Sequence, residues 1–323
     1  MATINSIGTA GRDYSTLQSW FDAIPSTPTG GYIGQCYNDS EFTGRIKFSG
    51  RTTSATNYIK LTTGPGQSFL DNAGASTLPL KYDRTKGVGL KTYGYLSTDN
   101  SPLNISLNYV TVEKIQVNYS GGDNYNPRVC YVTNLSGSST LVQNCIFAKT
   151  SASSSAIAEV TAAGNIVNCV LYDTVGGATS VGIAVVTGSK FRSCTIINAS
   201  GSVNGTAVSV SYTSNIIQDC LFLGWGSWKT GTGTFTTEDY NATDLSTGPT
   251  GAHDLLSLVA ANQVINPLSD FRPKAGNSLQ AGIRDQTYTN DLDIIGQPRS
   301  TTKPTIGARE YISLSSGNWV MFF

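Results

Sequence analysis

Between Val142 and Phe222 one short alternation of apolar and polar positions occurs four times. The copies are Val142-Gln143-Asn144-Cys145-Ile146-Phe147, Ile166-Val167-Asn168-Cys169-Val170-Leu171, Phe191-Arg192-Ser193-Cys194-Thr195-Ile196 and Ile217-Gln218-Asp219-Cys220-Leu221-Phe222. Large apolar residues stand three before each Cys and two after it. In an unbroken strand, Cys and the +2 residue would share one face and the −3 residue would lie on the other. A one-residue corner just before each Cys removes the conflict. The corner residues are Asn144, Asn168, Ser193 and Asp219, and Asn and Asp best tolerate the left-handed backbone that such a corner needs. Each repeat therefore reads as strand, sharp bend, strand, built from β-branched and aromatic residues. Cys145, Cys169, Cys194 and Cys220 recur at a nearly constant step. A period in the mid-twenties predicts a solenoid whose coils bury their faces against one another. Coils stacked at about 4.8 Å put the four cysteines in one interior column.

The flanking pattern predicts the remaining elements. In residues 1–30, Ser15 or Thr16 can N-cap a short helix carrying Leu17, Trp20, Phe21 and Ile24 at helical spacing, and Pro25 and Pro28 end it. This segment reads as a cap over the apolar opening of the solenoid. Residues 31–223 form the solenoid. Within them Arg45–Phe48, Tyr58–Leu61 and Val110–Val117 alternate as half-buried strands. The strands before the bends of the last three copies read as 156–160, 182–186 and 207–211. From Gly224 the period is lost. Residues 224–311 read as last coils and a closing segment, with 254–259 a short helix or strand, and 312–323 as an apolar tail.

At this point the chain resembles the right-handed parallel β-helix proteins, the pectate-lyase-like superfamily that includes many phage tailspike and virion proteins. The resemblance and the right-handed crossover rule imply an all-β, single-stack, right-handed parallel β-helix. Near the C-terminus, Asp270-Phe271-Arg272, then Ser278 to Gly282, then Asp293, Gly296 and Arg299, and finally Ile306-Gly307-Ala308-Arg309-Glu310 resemble the closing segment of many bacterial and phage β-helix proteins. That likeness speaks to architecture, not activity.

Composition narrows the function. Charged residues are 13%, and 21 Lys and Arg balance 21 Asp and Glu, so no global field attracts nucleic acid or an anionic membrane. No apolar run is long enough for a membrane helix, and the first residues lack the pattern of a signal peptide. The cysteines are therefore expected reduced. The one histidine, His253, lies in a loop beside Asp254 and reads as an ordinary loop residue. No zinc, phosphate-loop or dinucleotide motif occurs, and no metal or cofactor is expected.

Within the resembled superfamily, lyases hold Ca²⁺ with acidic residues and hydrolases use several Asp, so a site on stacked coils predicts acidic residues at equivalent repeat positions. Aligned on the cysteines, Glu159 has apolar neighbours, Asp219 belongs to the corner, and Asp173 stands alone. The close pairs Asp39/Glu41, Glu238/Asp239 and Asp291/Asp293 lie outside the regular coils, and turn-making or pairing with Arg299 accounts for Asp293. No catalytic residue is assigned. Trp225 and Trp228, with Tyr119, Tyr125 and Tyr131, offer a sugar-stacking or protein-contact surface; alternatively the tryptophans fill the end of the solenoid. The tail Trp319-Val320-Met321-Phe322-Phe323 needs covering, by the last coil or by a docking partner. The resulting expectation is a phage virion protein, a homotrimeric β-helix decorating head or tail, touching other particle proteins and host surface glycans. The alternatives are a polysaccharide lyase or glycoside hydrolase, and a carbohydrate-binding adhesin.

Overall fold

The computed structural model describes residues 1–72, 77–93, 101–121, 128–133, 139–150, 156–161, 164–283 and 292–311. Three sheets are traversed in turn by the backbone, and their strand pairs are parallel. The first sheet has nine strands, from Thr3–Ile7 to Phe235–Asp239. The second has eight, from Phe42–Thr43 to Ala242–Thr243, and the third has seven, from Ile46–Phe48 to Ser227–Thr230. The architecture is a right-handed parallel β-helix of about seven coils.

The bend between the first and second sheets is a single left-handed residue. Asn144, Asn168, Ser193 and Asp219 have φ of 52°, 57°, 50° and 58°. Lys114 and Tyr240 take the same conformation, with φ of 63° and 57°. The stretch Val110–Val117, expected as one strand, is therefore two, Val110–Glu113 and Gln116–Tyr119, broken at Lys114. Val112-Glu113-Lys114-Ile115 is a further copy of the corner phrase with Ile115 in the cysteine position, since Val112 pairs with Val142. Glu238-Asp239-Tyr240-Asn241 is another, since Ile217 pairs with Glu238.

Inside, Cys145, Cys169, Cys194 and Cys220 are fully buried and free, as are Cys36 and Cys130. Each thiol of the repeat donates to the carbonyl two residues earlier: to Gln143 at 3.1 Å, Val167 at 3.2 Å, Arg192 at 3.2 Å and Gln218 at 3.3 Å. A small, soft donor thus shares a carbonyl that also accepts the corner N–H of the neighbouring coil, from Lys114, Asn144, Asn168 and Ser193 in turn. Burial pushes the Cys169 and Cys220 thiols far up, away from thiolate chemistry. Beside them Phe147, Leu171, Ile196 and Phe222 fill the core.

At the N-terminal opening, Thr16 caps the helix Leu17–Asp22 through a reciprocal capping box with Ser19. Leu17, Trp20 and Phe21 are buried, and the Phe21 and Trp20 rings meet Phe48 edge-on at 5.1 and 6.4 Å. Gly34 leaves room for the indole, since a Cβ there would lie 2.7 Å from Trp20. The 254–259 segment forms neither helix nor sheet strand; Leu255 makes an isolated bridge to Ala242, and the next helical turn is Ala260–Gln263.

The outer face of the second sheet is apolar as well. Ile146, Val170, Tyr172, Ile197, Leu221 and Leu223 point outward into a second core, covered by Phe69, Leu78 and Leu80 and by Val264, Phe271, Leu279, Ile294 and Ile306. The closing segment accordingly lies along the side of the solenoid. The Phe271 N–H donates to Pro79 O at 2.9 Å, and the Gly307 N–H donates to Asp219 O at 3.0 Å.

Candidate functional site

Two regions gather the polar chemistry. The first is the seam where the closing segment docks on the corner column. Asn168 Nδ2 donates to Asn144 Oδ1 at 2.7 Å, and Ser193 Oγ donates to Asp219 Oδ2 at 2.9 Å, so the corner side chains themselves form a ladder. Arg299, 3% exposed, reaches across it. Its guanidinium donates to Asn168 Oδ1, Thr305 O and Gly307 O at 2.8–2.9 Å and lies 3.9 Å from Asp219 and 4.0 Å from Glu310. Burial pushes the Asp219 carboxyl up to about 8, against the pull of Arg299 and Ser193. Burial raises Asp293 and Glu310 too. Asp293 is the turn-maker expected, accepting from Ile295 and Gln297 N–H, but its closest arginine is Arg309, at 3.4 Å. Arg299 is committed to the corner column instead.

The second region is the last coil. Asp239 follows the outward row of the first sheet, and His253 comes back over it, with Nδ1 2.9 Å from Asp239 Oδ2 and its ring stacked on Tyr240 at 4.4 Å. Glu238, in the inward row, accepts from Trp228 Nε1 at 3.1 Å and from Thr250 Oγ1 at 3.1 Å. Asp254 accepts from the Asn241 and Gly251 N–H groups. Burial raises Glu238 and Asp254. Partial burial acts the same way on Asp239, but the hydrogen bonds from His253 and Tyr240 hold it below the usual carboxylate range. Tyr240 also lines a cleft of about 510 Å³ with Gln280, Gly282, Ile283, Lys303 and Pro304. Asp219 lies behind its wall, because a Cβ on Gly282 would fall 2.1 Å from Asp219 Oδ1. Carboxyl groups pushed in opposite directions close in sequence to a cleft that Tyr240 lines are ingredients of general acid–base chemistry or of polar-ligand binding, although Glu238, Asp239 and Asp254 do not themselves line it. Among the described residues no group of three or more His, Cys, Asp or Glu is arranged to hold a metal ion.

The aromatic surface read from the sequence is not formed by Trp225, Trp228 and Tyr119. Trp225 and Tyr119 are fully buried and Trp228 is 8% exposed. The Trp225 indole donates to Ile196 O at 3.2 Å, and Trp228 packs edge-on against Phe222 at 4.8 Å, so both fill the end of the core. Tyr131 is half-buried, beside the Arg128 guanidinium. Tyr125, Asp291 and the tail residues Trp319, Val320, Met321, Phe322 and Phe323 lie outside the described residues.

The acidic residues weighed on the coils take ionic partners. Glu159 is 2.6 Å from Arg128, and its strand partners are Tyr131 and Ala184. Asp173 has no acidic neighbour at the equivalent repeat positions, which hold Lys149 and Asn198, and it is 2.9 Å from Lys149. The step from Lys149 to Asp173 equals the step from Cys145 to Cys169, so the repeat carried the signal. His253 is tied to Asp239 rather than to its neighbour Asp254. No helix among the described residues is long and apolar enough to cross a membrane. No family model, curated protein or solved structure matches the chain.

Proposed function

We propose that this protein is a structural β-helix of a phage particle, a decoration or accessory component of head or tail that works as a homotrimer beside other particle proteins. The reading joins the resemblance to phage-encoded members of the pectate-lyase-like superfamily with one observation. Carboxylates of the coils are used for stacking: Glu113 meets Lys60 at 2.8 Å and Glu159 meets Arg128 at 2.6 Å on the outer faces, and Asp173 meets Lys149 at 2.9 Å in the interior, each between coils. Acids spent in this way favour a rigid rod. The apolar run Trp319–Phe323 supplies the docking contact in this proposal, so removing residues 317–323 weakens the oligomer seen by light scattering. The direct test is mass spectrometry of particles purified by density gradient from the source culture. The chain should sediment with them at fixed stoichiometry; recovery solely in the particle-free supernatant overturns the proposal.

A second reading, a polysaccharide lyase or glycoside hydrolase, is favoured by the last coil, where raised Glu238 and Asp254 adjoin lowered Asp239 close in sequence to Tyr240, which lines the cleft. It predicts reducing ends or unsaturated uronate absorbance from a polysaccharide panel, lost in Glu238→Gln. The structural proposal expects neither. Contact with host surface glycans fits both, with Tyr240 as the stacking ring.

A further inference from the structure

Lys149 and Asp173 end consecutive strands of the second sheet and are strand partners. Their side chains follow the inward row of Phe147 and Leu171, and both are 0% exposed. Nζ lies 2.9 Å from Asp173 Oδ2 and 3.4 Å from Ser180 Oγ. The other carboxyl oxygen, Oδ1, accepts from the Val175 N–H at 2.9 Å and the Gly176 N–H at 3.1 Å. An amine and a carboxyl are thus held in contact inside a dry core, with two backbone donors already aimed at one oxygen.

We propose that Lys149 and Asp173 become joined by an isopeptide bond, a covalent cross-link between consecutive coils. The reaction begins with transfer of one proton from Nζ to Oδ2. The neutral amine then attacks Cγ. Negative charge develops on Oδ1, where the Val175 and Gly176 N–H groups act as an oxyanion hole at distances suited to it. A second proton passes from Nζ to Oδ2, and the Cγ–Oδ2 bond breaks to release water. The Nζ–Cγ bond forms, one water is lost, and nothing is oxidised or reduced. Holding the groups in register supplies an effective concentration of roughly 10⁵ M or more, which compensates for a poor leaving group. The product removes both charges from the interior and keeps the Oδ1 hydrogen bonds, so the surrounding packing needs no rearrangement.

The test uses the full-length protein under denaturing conditions. Its intact mass should be one water below that of the linear sequence. Trypsin should fail to cut after Lys149, and tandem mass spectrometry should find a branched peptide joining the segments around Lys149 and Asp173. Lys149→Arg should restore the full mass for its sequence, and that measurement does not depend on how well the variant folds. A wild-type chain of unreduced mass that trypsin cuts after Lys149 overturns the proposal. So does a water loss that maps elsewhere, for instance to a succinimide.

Discussion

Between Val129 and Leu223 the described inward rows are mainly aliphatic, aromatic and thiol side chains, with Lys149 and Asp173 as a single ion pair among them, whereas the seam under the closing segment buries Asp219, Asp293, Arg299, Arg309 and Glu310. The two regions obey different rules. An apolar column accepts any side chain of suitable volume in each rung, so its period survives while residue identities drift. A buried charge network is satisfied by one arrangement only, because each charge that loses its partner stays behind in a dry site. The coils therefore define a repeating rod, and the seam fixes where along that rod the closing segment sits.

That contrast can be broken by substitution. Arg299→Met leaves Glu310 without its cation and Asn168 Oδ1, Thr305 O and Gly307 O without their donor, and should cost about 3–5 kcal/mol. Hydrogen exchange should then rise across 264–311 while the cysteine column stays protected. Uniform loss of protection would mean that seam and coils are one cooperative unit.

The pH dependence of the seam is the next largest effect. The folded Asp219 keeps its proton up to about 8, whereas the unfolded chain releases it in the ordinary carboxyl range. Between those limits the folded state binds the extra proton, so stability is greatest at the acidic end, falls as pH rises, and levels off above the folded value. The slope should approach about 1 kcal/mol per pH unit, below the single-proton ceiling. Asp219→Asn should make it shallower in urea titrations at several pH values; an unchanged slope would transfer the effect to Asp293 and Glu310.

The apolar side is sharpened by Cys194→Ser. A hydroxyl in that column should cost roughly 1–3 kcal/mol, with no selective exposure of 264–311. The smallest effect is a gain. Lys114 holds a left-handed corner without a suitable side chain, and Lys114→Asn should add about 1 kcal/mol. A thermal melt that does not move upward would show that the lysine stem already offsets the strain.

How far the structure is legible in the sequence follows the same division. The corner at Asn144, Asn168, Ser193 and Asp219 can be read because alternation and periodicity conflict there unless the chain bends. The same bend at Lys114 escapes notice, since Val110–Val117 alternates well enough to pass for one strand and Ile115 replaces the Cys marker. Lys149 and Asp173 share the repeat step, yet a pair seen once gives no column to notice. The partners of Asp219 are out of reach. Arg299 lies far beyond the last regular coil, brought back by a segment with no period of its own. The aromatic residues mislead for a related reason: Trp225 and Trp228 sit among glycines that suggest a surface loop, but the end of an apolar core has to be filled.

The single-residue corner has a consequence for how such a chain can change. The steps from Asn144 to Asn168, from Asn168 to Ser193 and from Ser193 to Asp219 grow in turn, while the strands on either side of the corner keep their register. Length is therefore added away from the corner, in the turns that leave and rejoin the second and third sheets. The molecule has a vertebral side of fixed pitch and a flank that tolerates insertion. New loops, and with them new specificities, can be grafted onto that flank at the turn from Asn198 to Thr206 without disturbing the alignment of any coil above or below it.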